Sequence, residues 1–87
     1  MKKLPDILKD ISKFLNVSVC DIRGNSKRYP LPDARHLFVY MAVQNSTPGI
    51  IATTYINKSH SLSSYVRFKT KNDYEFMALI QEFQCNK

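Results

Sequence analysis

Apolar residues recur at intervals of three and four along this 87-residue chain, and no segment sustains a period-two alternation. Leu4, Ile7, Leu8, Ile11, Phe14 and Leu15 set the pattern, a spacing that gathers apolar side chains into one stripe of a helix. Ala34, Leu37, Phe38 and Met41 repeat it, as do Phe76, Leu79, Ile80 and Phe83. Leu62, Tyr65 and Val66, with the stem of Lys69, form a shorter stripe. Two glycines and four prolines leave little turn material for a β architecture. The expected fold is therefore all-α, five to six helices in a single domain over residues 1–87, with no internal repeat or low-complexity run. A chain of this size buries one core and has little stability to spare.

Local signals place the boundaries. Pro5 suits a first helical turn, where a missing N–H costs nothing. Ser18-Val19-Cys20-Asp21 reads as a capping box, with Val17 and Ile22 as the hydrophobic staple across it. Gly24 is expected to end that short helix in the left-handed conformation. Asn25 to Pro32 reads as a loop tipped by Lys27 and Arg28, and a long helix is expected from near Asp33 to a break at 45–49. Thr47 as N-cap with Pro48 in the first position opens a short helix of about 48–56 carrying Ile50, Ile51 and Tyr55. A tight turn of two or three residues at Asn57-Lys58 follows, and Ser59 caps a helix of about 59–70. Asn72 with Glu75 repeats the capping pattern before the last helix.

Several function classes find no support. No apolar run approaches the ~18 residues of a membrane span, and Met1-Lys2-Lys3-Leu4-Pro5 lacks the apolar stretch of a secretion signal. A cytoplasmic protein without a membrane partner is expected. Cys20 and Cys85 read as reduced thiols, and neither histidine has metal-ligand spacing with a cysteine. With no paired carboxylates, no nucleophile–base pattern and no GxxxxGK[ST] loop, the reading is of no enzyme, no metal, no cofactor and no small-molecule substrate.

Charge is distributed unevenly. Between Asp21 and Asp73 stand Arg23, Lys27, Arg28, Arg35, Lys58, Arg67, Lys69 and Lys71 against Asp33 alone, a formal +7. The rest of the chain, with five basic and six acidic residues, is −1, giving the total of +6. Such an imbalance fits a surface for a polyanion. Within the basic segment, the short helix, turn and following helix have the layout of a helix-turn-helix, whose second helix meets base edges with its N-terminal residues. The face expected to point outward holds His60, Ser61, Ser64, Arg67 and Lys71. Arg67, Lys69 and Lys71 fall at i, i+2 and i+4, so at most two share one surface. His36 reads as a rim residue, the five tyrosines as core-edge residues, and Asp33 and Asp73 as helix-start residues.

The run Val17 to Arg28, continuing through Asp33 to Ala42 and again from Ile51 to Lys69, resembles the C-terminal DNA-binding domain of the bacterial replication initiator DnaA, a Trp-repressor-like helix-turn-helix. The resemblance covers roughly residues 7–71. It implies that Lys27 and Arg28 reach the minor groove or phosphates, and that Arg35 contacts phosphate. It also places Ser59, His60 and Ser61 on the segment that reads bases, with Lys58 a DNA-contacting residue just before it. Lys58 stands for the family's arginine, His60 keeps its histidine, and Ser61 keeps a hydroxyl. Ser59 replaces an acid, Leu62 a threonine, and Ile56-Asn57 a pair of glycines, which implies a different target sequence. The family's ATP-binding module is absent from these residues. The expected function is sequence-preferring binding of double-stranded DNA in replication initiation or transcription regulation, through Lys27, Arg28, Arg35, Lys58, Ser59, His60, Ser61, Ser64 and Arg67. Two rivals stand beside it. One is a protein-interaction module on the same scaffold. The other is a homodimeric regulator joined through an exposed row of Phe76, Ile80 and Phe83.

Overall fold

The computed structural model describes residues 3–85, which form six α-helices and no strand. In α1 (Leu4–Leu15) the apolar stripe works as its spacing predicts: Ile7, Leu8 and Ile11 are buried, with Leu4, Phe14 and Leu15 at the core edge. Asn16 ends it in the left-handed region, at φ 56°. Helix α2 (Val19–Arg23) starts at the expected cap, where Ser18 Oγ accepts the Asp21 N–H at 3.0 Å. Ile22 is fully buried. Gly24, however, is extended (φ −85°, ψ −165°) and not left-handed.

The long helix α3 (Leu31–Gln44) begins two residues before Asp33. Leu31 is buried and its N–H meets the Arg28 carbonyl at 2.8 Å. Pro32, in the first turn, needs no N–H there. Ala34, Leu37, Phe38, Val39, Met41 and Ala42 are all buried, and α3 touches every other helix, so the core is arranged around it.

Helix α4 (Gly49–Tyr55) is capped by Pro48, one residue later than the expected Thr47 cap. Its buried face is small, Ala52 and Thr53 followed by Ile56, whereas Ile50 and Ile51 are 56% and 51% exposed. Two of the three expected apolar positions are thus outer ones, while Tyr55 packs at the core edge against Phe38. The reason is close approach: a Cβ on Gly49 would lie 2.9 Å from Ser63, so only small residues fit beneath α4. The Thr53 hydroxyl is satisfied by the Gly49 carbonyl at 3.0 Å.

Helices α5 (Ser61–Asn72) and α6 (Tyr74–Cys85) are divided at Asp73. Asp73 Oδ1, and not Asn72, accepts the Phe76 N–H at 3.1 Å. Asn72 stays within α5 and donates to the Phe68 carbonyl. The expected capping pair is displaced by one residue because the carboxylate is the better acceptor for free N–H groups near a positive helix end. Phe76, Ile80 and Phe83 are buried, with Phe83 edge-on to Phe14 at 5.2 Å. That row is core and offers no dimer surface. Among the described residues no helix is long and apolar enough to cross a membrane.

Candidate nucleic-acid interface

The connection between α4 and α5 spans residues 56–60, longer than the expected two or three. Asn57 takes the left-handed conformation at φ 60°, which asparagine tolerates better than most side chains. Its N–H reaches the Thr54 carbonyl, and the Lys58 N–H reaches that of Thr53 at 2.8 Å, closing the end of α4. This is the turn a glycine would ordinarily make. The segment is also pinned from outside. Asn57 Nδ2 donates to the Arg23 carbonyl at 3.3 Å, and Arg23 Nε donates to the Tyr55 carbonyl at 3.1 Å.

Helix α5 therefore begins at Ser61 and not at Ser59. Ser59 Oγ accepts the Ser61 N–H at 3.3 Å and the Ser61 hydroxyl at 3.1 Å. His60 occupies the N-cap position in a helical conformation and makes no side-chain cap bond. Ser59, His60 and Ser61 are all exposed, so the polar start of α5 is open to solvent.

Two grooves flank α5 and divide the expected contact residues. One, of about 690 Å³, is lined by Lys27, Arg35, His36, Lys58, Ser59, Ser61, Leu62 and Tyr65. The other, of about 520 Å³, lies toward the end of α3 and the start of α4 and takes in His60, Ser63, Ser64, Arg67 and Lys71. Neither groove has a carboxylate among its lining residues. Arg28 is exposed but turns away, toward a separate hollow beside Asp21 and Tyr29. The adjacent pair Lys27-Arg28 thus points to two places.

Besides Arg23, three of the basic residues are engaged internally. Arg35 is only 6% exposed. Its Nε donates to the Ile22 carbonyl at 2.7 Å, and one Nη donates to those of Asp21 and Gly24 at 2.9 and 3.0 Å. Burial lowers its pKa from the ordinary value, opposed by the charge of Asp21. The expected phosphate contact is replaced by a clamp on the end of α2, where unpaired carbonyls need donors. The extended Gly24 makes this arrangement work by turning its carbonyl inward. Lys58 Nζ donates to the same carbonyl and lies 3.4 Å from Asn25 Oδ1. Its pKa is lowered by burial first and by Arg35 second. Lys58, expected to contact DNA, here anchors the α4–α5 turn to the end of α2.

Lys69 also turns inward, with Nζ 3.8 Å from Asp33, 3.9 Å from Asp73 and 3.3 Å from His36 Nδ1. The same ammonium lies over the Tyr65 and Phe76 rings. His36 is half-buried among these groups, and its pKa is lowered to about 4, chiefly by burial and next by Lys69. Arg67 and Lys71 stay exposed on α5, so two of the three spaced cations do share one side.

One residue of the outer face escaped the sequence reading. Phe68 is 64% exposed and continues the outward series Ser61, Ser64, Phe68 at i, i+3, i+7. Its distance from the inward stripe of Leu62 and Val66 was the available signal. No family model, curated protein or solved structure matches this chain.

Proposed function

We propose that this chain is a double-stranded-DNA-binding module in which α4 and α5 act as a helix-turn-helix. The reading rests on one arrangement: an exposed polar helix start flanked by two grooves that contain cations and no carboxylate. The tip formed by Ser59, His60 and Ser61 enters the major groove, where short hydroxyl and imidazole groups offer hydrogen bonds without holding the backbone away. Lys27 on one flank, and Arg67 and Lys71 on the other, lie where phosphates bordering the groove pass. Arg28 serves a more distant phosphate.

The internal engagement of Arg23, Arg35, Lys58 and Lys69 reduces the cations of the basic segment open to phosphate to about four, so log affinity should fall with log salt at a slope of roughly 3 to 4. Fluorescence anisotropy with a panel of duplexes at two salt concentrations tests this, and absence of binding at low salt removes the proposal. A second reading, an interaction module for another protein, is favoured by the exposed Ile50 and Ile51 on α4. Paired replacement of His60 and Ser61 by alanine separates the two. Loss of duplex preference supports groove reading, and unchanged weak, sequence-blind binding supports the rival.

A further inference from the structure

Phe68 is anomalous. A large ring 64% exposed to water sits mid-helix among serines and cations. Around it on α5 are Ser64, Arg67 and Lys71, all exposed, and Tyr65, itself half-exposed. Among the described residues the ring is outside the hydrophobic core, and the inward stripe of α5 is completed by Leu62 and Val66. At ~1.5 Å rise per residue, Ser61 and Phe68 lie about 10 Å apart along the axis. That is the length of about three base-pair steps.

We infer that Phe68 reads the C5-methyl group of a thymine, making the target of this domain a site with thymine about three base pairs from the pairs met by Ser61. The inference rests on the duplex-binding reading above and deepens it. On the base edges of the major groove the thymine methyl is the one apolar group, and an aromatic side chain on a groove-facing helix gains by covering it. Cations on the same face hold α5 against the backbone on that side, so the ring comes close to the bases when α5 is seated. Ser61 and Ser64, which hydrogen-bond to any base edge with a donor or acceptor, discriminate weakly. Phe68 therefore carries more of the selectivity than its neighbours do.

The experiment begins with selection of the preferred duplex from a random pool. Each thymine of that duplex is then exchanged singly for deoxyuridine, which removes only the methyl group. Affinities are measured by anisotropy at one fixed salt concentration for the native protein, Phe68→Leu and Phe68→Ala. The native protein is expected to lose about three- to tenfold at one or two positions, the scale of one buried methyl. Phe68→Ala loses that sensitivity while keeping its salt slope, and Phe68→Leu keeps part of it. Circular dichroism confirms that both variants retain the helical fold, as an exposed position allows. A native protein indifferent to every deoxyuridine exchange overturns the inference, as does a Phe68→Ala protein with undiminished sensitivity. Specific binding with methyl indifference overturns this inference alone, whereas failure to bind any duplex overturns the parent reading too.

Discussion

The junction of α2, α3 and the α4–α5 turn, and the outer side of α5, both carry basic side chains, and the two regions use them in opposite ways. At the junction Arg35 and Lys58 give their hydrogen bonds to the carbonyls of Asp21, Ile22 and Gly24. Along α5, Arg67 and Lys71 have no side-chain hydrogen bond or ion pair among the described residues and stay in water. The difference follows from the termination of α2. A five-residue helix leaves most of its carbonyls without intrahelical donors, and cations supply them. Helix α5 ends beside Asp73, whose extended backbone returns an N–H to Lys69, so its cations are not drawn into that duty. Positive charge in the sequence therefore measures two separate quantities, the need of helix ends for donors and the charge left for a polyanion.

The sharpest way to break this comparison is Arg35→Met, which keeps the apolar stem and removes the guanidinium. The buried Ile22 carbonyl loses its donor, while that of Asp21 keeps the Gly24 N–H and that of Gly24 keeps Lys58, and the expected cost is about 2 kcal/mol, a sizeable fraction of the stability of a domain of this size. Urea unfolding would register it. A loss below about 1 kcal/mol would show that the clamp is dispensable and that Arg35 is better regarded as a surface cation. Arg35→Lys is expected to recover little, because an ammonium cannot reproduce the planar fork.

Paired replacement of Arg67 and Lys71 by alanine tests the other region. Stability should move by no more than about 0.5 kcal/mol, as for exposed sites generally. Duplex affinity at low salt should fall roughly ten- to a hundredfold, and the salt slope by about 2, the release expected from two phosphate contacts. An unchanged slope would mean that these cations do not meet DNA, and the two regions would differ only in burial.

The sequence was most legible where a pattern was repeated locally. The stripes of α1, α3 and α6 could be read because spacing alone decides which side of a long helix is buried, and the Ser18 cap because both halves of its signature lie within four residues. Short elements were less legible. Helix α4 turned Ile50 and Ile51 outward because its inner face is set by the closeness of Gly49 to Ser63, a contact between segments that no local pattern announces. The same holds for the site. The exposed tip at Ser59 to Ser61 followed from its composition, but the fate of Arg35 and Lys58 depended on a Gly24 carbonyl turned inward by an extended backbone. Phe68 could have been found by completing the outward series, since its position on the helix was already fixed by the stripe opposite.

His36 lies between the two regions, in the wall of the Lys58 groove and against the inward-turned Lys69, and its effect is absent at neutral pH. Its pKa falls from the ordinary 6.5 to about 4, with burial the main cause and Lys69 and Arg35 acting in the same direction against Asp33 and Asp73. The unfolded chain thus binds a proton at this ring over a range where the folded protein does not. Stability from this residue is complete above about pH 6.5 and is lost as pH falls toward 4. In His36→Gln that component is absent, so its urea midpoint should decline less steeply over this interval, while carboxylates elsewhere affect both proteins alike. Parallel curves for the two proteins would place the ring in ordinary solvent contact. The Lys69 cluster would then be open to water, and Lys69 would join Arg67 and Lys71 as a third cation available to DNA.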